Sequence, residues 1–137
     1  MANALSHKQA DEGNIFSEKY FEYLFIHARN MQGSTLRELT IFYADYPFCL
    51  TEFHEDGKTD NSMEVRFDRQ CATLVAYLGQ GRQCIQVFIY PDHPYGQEEC
   101  VRYLNNIYEY NDEIGYWEVP GGKLLCEFDD RWVLIYN

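Results

Sequence analysis

The sequence predicts a single α+β domain, and two observations indicate this class. Apolar residues with helical spacing occur near the start of the chain and after residue 96, whereas the other segments alternate with a period of two. The resulting order is one helix, about five strands, a second helix and three strands, which is segregated rather than alternating and is typical of α+β folds. A chain of 137 residues with 46% hydrophobic and 17% aromatic residues can also bury a core of its own.

The N-terminal region predicts a tail followed by a helix. Residues 1–13 are polar and mixed, so we expect a flexible tail ahead of a domain that spans residues 14–137. Asn14 or Ser17 is a suitable cap for a helix that ends at Gly33. An apolar stripe with spacing i, i+3, i+4 and i+7 marks its buried face: Phe21, Leu24, Phe25 and Ala28.

Between residues 36 and 90 the period of two predicts an antiparallel meander. Its five strands cover approximately residues 36–43, 48–54, 63–67, 71–78 and 82–90. Asp56-Gly57 is a turn signal, and the polar run after it predicts a loop longer than a minimal hairpin. Residues 82–90 have the best strand pattern and are expected to form the central strand of the sheet. Alternation places Ile85, Val87 and Ile89 on one face, and Cys84, Gln86, Phe88 and Tyr90 on the other.

The last third of the chain predicts a helix and three short strands. The helix is expected over residues 97–110, with Glu98 and Arg102 as an i,i+4 ion pair. Its apolar face comprises Cys100, Val101, Leu104, Ile107 and Tyr108. The strands are predicted at residues 114–119, 123–128 and 131–136.

The charge and cysteine content restrict the classes of partner and compartment. A net charge of −11 repels the phosphates of nucleic acids and anionic membrane surfaces, and it favours a basic protein partner. Solubility alone is the alternative explanation of this charge. Five cysteines without a CxxC pair indicate buried free thiols and a reducing cytoplasm. The N-terminus lacks the pattern of a signal peptide, and no apolar run approaches the roughly 20 residues of a membrane span.

Motifs for catalysis, cofactors or metals do not emerge from the residues. The cysteines lie in predicted strands or on a helix face rather than at a helix N-terminus, where a thiolate would be stabilised. The clusters His54-Glu55-Asp56 and Asp92-His93 lack the spacing of a metal site. Gly79-Gln80-Gly81 lacks the further glycines and the helix of a phosphate-binding loop. We therefore expect a protein that is not an enzyme and uses neither cofactor nor metal.

The segment from Tyr103 to Glu118 is the most unusual part of the sequence, because tyrosine and tryptophan alternate there with acidic residues. Residues 98–137 contain nine acidic and three basic side chains and so carry −6 of the total charge of −11. We predict that this segment binds a basic protein partner, because carboxylates pair with Lys and Arg and aromatic rings supply contact area. The expected electrostatic contacts are Glu109, Asp112, Glu113 and Glu118, and the expected aromatic anchors are Tyr108, Tyr110, Tyr116 and Trp117. The alternative places the rings in the core and the acids on an ordinary solvated face.

A second acidic cluster is the reserve candidate for the same role. It comprises Glu52, Glu55, Asp56 and Asp60.

Three functions fit these observations. The first is a small cytoplasmic protein that neutralises a basic partner, such as an immunity protein or antitoxin that masks a nuclease toxin, or an inhibitor. The second is a secretion chaperone or adaptor, which a long exposed apolar groove and dimerisation would favour. The third is a small enzyme or ligand-binding domain, which a deep pocket with a strained cysteine or a buried carboxylate would favour.

Overall fold

The computed structural model describes residues 18–92, 96–120, 122–128 and 132–137, and it confirms the α+β class. The predicted tail at residues 1–13 and the predicted helix caps at Asn14 and Ser17 lie outside these residues. The described elements are α1 (Glu18–Met31), α2 (Leu36–Phe42), β1 (Phe48–Glu55), β2 (Lys58–Phe67), β3 (Ala72–Gly79), β4 (Gln86–Pro91), α3 (Gly96–Ile107), β5 (Tyr110–Asn111), β6 (Tyr116–Val119), β7 (Gly122–Phe128) and β8 (Trp132–Tyr136).

All eight described strands belong to one antiparallel sheet with the order β1-β2-β3-β4-β8-β7-β6-β5. Two four-stranded meanders therefore meet where β4 pairs with β8, and Val87 lies opposite Tyr136 there. This arrangement confirms the prediction that the segment containing β4 is central. The outermost strands are β1 at one edge and β5 at the other.

The core lies between one face of the sheet and the helices. The predicted stripe of α1 is confirmed, since Phe21, Leu24, Phe25 and Ala28 are all buried. Helix α1 contacts β3, β4 and α3. The sheet residues that complete this core include Met63, Val65, Leu74, Val87, Ile89, Leu124 and Leu134.

The first predicted strand is wrong, because residues 36–42 form helix α2 instead. The Thr35 hydroxyl accepts a hydrogen bond from the Glu38 amide at 3.2 Å, and the Glu38 carboxylate accepts one from the Thr35 amide at 3.0 Å. This capping box satisfies two amides that would otherwise lack partners at the start of a helix. Leu39 and Tyr43, one helical turn apart, are buried, while the intervening Ile41 is exposed. The apolar residues of this segment therefore follow the spacing of a helix and not the alternation of a strand.

The predicted phase of the central strand is wrong at its beginning. Cys84 is buried and Ile85 is 58% exposed, although the pattern placed Ile85 on the face of Val87. Cys84 is held by the loop after α1, because its amide donates to the Ser34 carbonyl and its carbonyl accepts from the Gly33 amide. Regular pairing begins only at β4, and from there Val87 and Ile89 are buried together as predicted.

Two further boundaries and one ion pair differ from the predictions. Strand β2 begins at Lys58, so Asp56-Gly57 forms a two-residue hairpin turn in which both residues have positive φ angles. Helix α3 ends at Ile107, which is exposed, and the chain continues into the unpredicted strand β5. Arg102 pairs with Glu99 at 2.8 Å rather than with Glu98.

Candidate functional site

The acidic hairpin, residues 109–118, forms the edge of the sheet that contains β5 and β6. Its turn is fixed by Asn111, whose side-chain oxygen accepts hydrogen bonds from the Glu113 and Ile114 amides at 3.1 and 3.2 Å. The Gly115 amide donates to the Asn111 carbonyl at 2.7 Å, and the φ angle of Gly115 is +84°. Glycine adopts positive φ angles without the steric cost that other residues incur, so the sequence specifies this turn locally.

Trp117 attaches the acidic hairpin to α3. Its indole Nε1 donates a hydrogen bond to the side-chain oxygen of Asn105 at 2.9 Å. Its ring lies 4.9 Å from the ring of Tyr110 between centroids, and only 5% of Trp117 is exposed. The hairpin is therefore held by packing as well as by its own turn.

The structure separates the four predicted anchors into two groups. Tyr116 and Trp117 are buried, so the anchoring role predicted for them is corrected: they hold the hairpin against the rest of the fold. Tyr116 also lies beneath the Lys123 ammonium, which is 4.6 Å from its ring centroid. Tyr108 is half-buried, and burial raises the pKa of its hydroxyl. Tyr110 remains 42% exposed and is available for contact.

The four predicted carboxylates, in contrast, all reach solvent: Glu109, Asp112, Glu113 and Glu118. None of them forms an ion pair within the described part of the chain. Glu109 and Glu118 lie opposite each other, because the Glu118 amide donates to the Glu109 carbonyl at 3.0 Å. Like charges at opposed positions destabilise a strand pair. The hairpin therefore presents negative charge without ion pairs among the described residues, and Lys123, opposite Glu118 on β7, is the cation that neighbours it.

Sequence reasoning missed one residue of this surface. Ile114, at the tip of the hairpin, is 66% exposed, so an apolar side chain stands among the carboxylates. The available signal was Asn111 followed by Gly115, since these residue types favour a turn and turns lie at the surface.

The second acidic cluster lies at the other edge of the sheet, on the hairpin of β1 and β2. Glu52, Glu55 and Asp56 are exposed, and Asp60 is half-buried. Glu52 lies 3.4 Å from His54, whose other ring nitrogen is 2.9 Å from the Thr59 hydroxyl. Since β1 and β5 are the outermost strands, the fold does not combine the two acidic clusters into one site.

The described residues offer little for catalysis or metal binding. Among them, no group of three or more His, Cys, Asp or Glu side chains is placed to hold a metal ion, and no carboxylate is buried. Cys49, Cys71, Cys84 and Cys100 are free thiols, whereas the side chain of Cys126 lies outside the described residues. Cys71 has a strained backbone with a φ angle of +48°. Burial raises the pKa of the Cys84 thiol, which opposes formation of the nucleophilic thiolate.

A shallow depression of about 280 Å³ lies beside Arg66 and is lined by Pro47, Phe48, Cys49, Glu64, Arg66 and Thr73. The Arg66 guanidinium is already occupied, because it contacts the Asp92 carboxylate at 2.6 Å and the Asp68 carboxylate at 3.2 Å. The strained Cys71 does not line this depression. The depression is therefore lined neither by the strained cysteine nor by a buried carboxylate.

His27 is a buried polar residue that the sequence did not single out. Its Nδ1 lies 2.7 Å from the Tyr43 hydroxyl oxygen, and the rings of Tyr23, Tyr43 and Phe67 pack around it. Burial lowers the pKa of His27 from 6.5 to about 4, so the ring is neutral at pH 7. This histidine belongs to the core and not to a surface site.

Comparison with known proteins assigns no family to the chain. No protein-family model matches it, and neither a curated protein nor a solved structure matches it. Within the described ranges, no helix has the length and apolar character that crossing a bilayer requires. The function is therefore inferred from the geometry of the surface.

Proposed function

We propose that this protein binds a basic protein partner through the acidic hairpin and neutralises it, as an immunity protein, antitoxin or inhibitor does. One observation carries the proposal. Four exposed carboxylates without ion-pair partners among the described residues stand beside exposed Tyr110 and Ile114, on a hairpin that Trp117 holds to α3.

The chemistry of this surface suits Lys and Arg side chains. Charge-assisted hydrogen bonds to carboxylates are stronger than those between neutral groups. Glu109 and Glu118 are joined through their backbones, so one partner cation placed beside this pair would meet two carboxylates. Tyr110 and Ile114 supply apolar contact that charge alone does not provide.

The same proposal places the protein in the cytoplasm. No disulfide joins the four described cysteines, and two of them, Cys84 and Cys100, are buried in the core as thiols. Such thiols are maintained in a reducing compartment. A nuclease toxin or another nucleic-acid-binding protein is the class of partner whose basic surface the hairpin would cover.

Capture of the partner from a lysate, followed by its identification, tests the proposal. The wild-type protein is compared with the hairpin variant Glu109→Lys/Asp112→Lys/Glu113→Lys and with the matched control Glu22→Lys/Asp45→Lys/Glu98→Lys. Both variants change the net charge by the same amount, but the control positions are exposed residues outside the acidic hairpin and strand β1. We expect the wild type and the control to retain a basic protein that moderate salt releases, and the hairpin variant to lose it.

Two results would contradict this proposal. Equal loss of the partner in both variants would mean that net charge, and not the hairpin, determines binding. Retention by the hairpin variant would show that the surface is wrongly assigned. Should a captured protein be active as a nuclease, the wild-type protein is expected to inhibit it in proportion to the binding.

The chaperone hypothesis has one specific observation in its favour. Strand β1 exposes three large apolar side chains, Phe48, Leu50 and Phe53. A chaperone would retain a partly unfolded client and bind it less well once the client has folded. Capture of a folded basic protein would therefore favour neutralisation over a chaperone role.

A further inference from the structure

Strand β1 is a long outer strand whose backbone edge is accessible. All eight of its residues are exposed, and Phe53, at 60%, is among the most exposed apolar residues. Most proteins protect such an edge by shortening it, covering it or placing charges on it, because it is a template for another strand. Of these three kinds of protection, β1 has only the charged side chains, and most of them are negative.

The register of β1 on β2 shows which backbone groups point outward. The two-residue turn Asp56-Gly57 makes Glu55 and Lys58 a hydrogen-bonded pair, and such pairs alternate along an antiparallel ladder. The Pro47 carbonyl follows this alternation, since it accepts from the Arg66 amide at 2.9 Å. Thr51 and Phe53 therefore bond to β2. The amides and carbonyls of Leu50, Glu52 and His54 face away from the sheet.

We propose that β1 accepts an extended basic segment of a partner protein as an added strand. The outward groups of Leu50, Glu52 and His54 would supply the main-chain hydrogen bonds. Neighbouring side chains on an added strand lie within contact distance of those on β1. Leu50 and Phe53 would contact apolar residues, and Glu52 and Glu55 would contact Lys or Arg.

Charge favours a basic segment over a second copy of this chain as the strand that pairs with β1. The exposed acids Glu52, Glu55 and Asp56 outnumber the neighbouring cation Lys58, and His54 already contacts Glu52. A second copy would bring the same carboxylates together and join two chains of charge −11. This proposal concerns the opposite edge from the acidic hairpin, and it holds whether or not that hairpin binds a partner.

A proline at position 52 separates backbone pairing from charge. Glu52→Pro removes an amide that faces outward and leaves the bonds between β1 and β2 intact, since proline is tolerated on an edge strand. Glu52→Ala removes the same carboxylate but keeps the amide. A difference between these two variants therefore reports the main-chain hydrogen bond.

The probe is a blocked octapeptide in which two valines alternate with two lysines, so that each face carries both residue types, and it is titrated against the full chain at low salt while amide hydrogen exchange is measured. We expect slowed exchange at the amides of Leu50, Glu52 and His54. Affinity should fall by about tenfold or more for Glu52→Pro relative to Glu52→Ala. Two further peptides are N-methylated, one at the odd-numbered residues and one at the even-numbered residues. One of them should bind and the other should fail, because alternate amides face β1.

Several outcomes would overturn the proposal. Equal affinity for Glu52→Pro and Glu52→Ala would do so, as would binding of both methylated peptides or of neither. A peptide with glutamate in place of lysine should not bind, and its binding would refute the charge argument. Dimerisation together with slowed exchange at β1 in the absence of peptide would assign the edge to a second copy. If Glu52→Pro does not fold, the methylated peptides decide the question on the wild-type protein.

Discussion

Acidification from pH 7 to pH 5 should destabilise this protein through His27. The ring is buried against Tyr23, Tyr43 and Phe67, and burial lowers its pKa from 6.5 to about 4. As the pH falls, the unfolded chain therefore takes up a proton before the folded protein does. The stability associated with neutral His27 is present above about pH 6.5 and is lost as the pH falls toward 4.

The magnitude follows from the two pKa values. One pKa unit corresponds to about 1.4 kcal/mol. The pKa of His27 is 6.5 in the unfolded chain and about 4 in the folded protein, so protonation lowers the free energy of unfolding by about 2 kcal/mol at pH 5. That loss is a large fraction of the roughly 5–15 kcal/mol by which a domain is normally stable. At pH 7 the same group contributes almost no penalty.

Urea unfolding at both pH values measures this effect when His27→Gln is compared with the wild type. The glutamine is neutral throughout, so the contributions of the carboxylates cancel in the difference between the two proteins. We expect the wild type to lose about 2 kcal/mol more than the variant on acidification. An identical pH dependence would refute the assignment. If the variant does not fold, titration of the His27 ring by NMR replaces it, and a midpoint near 6.5 would be the contradictory result.

Three further predictions concern stability. Thr35→Ala should lower the free energy of unfolding by about 1 kcal/mol because it removes the cap of α2. Thr35→Ser keeps a hydroxyl at the cap and should retain most of the wild-type stability. Equal destabilisation of the two variants would contradict the capping account. Cys71→Gly should be more stable than Cys71→Ala by about 1 kcal/mol, since only glycine relieves the positive φ angle, and equal denaturation midpoints would oppose this. Trp117→Phe should cost about 1 kcal/mol by removing the hydrogen bond to Asn105, and in an Asn105→Ala background it should cost less.

The parts of the fold that sequence predicted correctly depend on local signals. The stripe of α1 repeats over several turns, and Gly33 has the positive φ angle expected of a helix stop. Asp56-Gly57 specifies its hairpin turn through the conformations that these two residues tolerate. The alternation of Val87 and Ile89 identifies a strand buried on one face.

The errors arose where a local signal was overlooked or where a distant contact determined the result. Thr35 and Glu38 have the residue types and the spacing of a capping box, and this sequence pattern would have identified α2. The inward position of Cys84 depends on hydrogen bonds to the loop after α1, which no period reveals. The burial of Trp117 likewise involves a distant contact, its hydrogen bond to Asn105, which lies twelve residues earlier.

The candidate site was predictable in its charge but not in its geometry. The carboxylates of the acidic hairpin are exposed, as charged residues without internal partners must be. Their alternation with aromatic residues did not reveal which rings face the core, because β5 was not anticipated and the strand register follows from it. The exposure of the apolar side chain of Ile114 depends on the geometry of the turn, which was not predicted from the sequence.

The rate at which the captured partner associates, measured from low to moderate salt, tests the central claim most directly. For the wild type and for the Glu22→Lys/Asp45→Lys/Glu98→Lys control, we predict fast association that salt slows steeply. For Glu109→Lys/Asp112→Lys/Glu113→Lys, we predict association slower by about tenfold or more and almost independent of salt. Rates that are the same for all three proteins at every salt concentration would contradict the claim that the acidic hairpin recognises a basic partner.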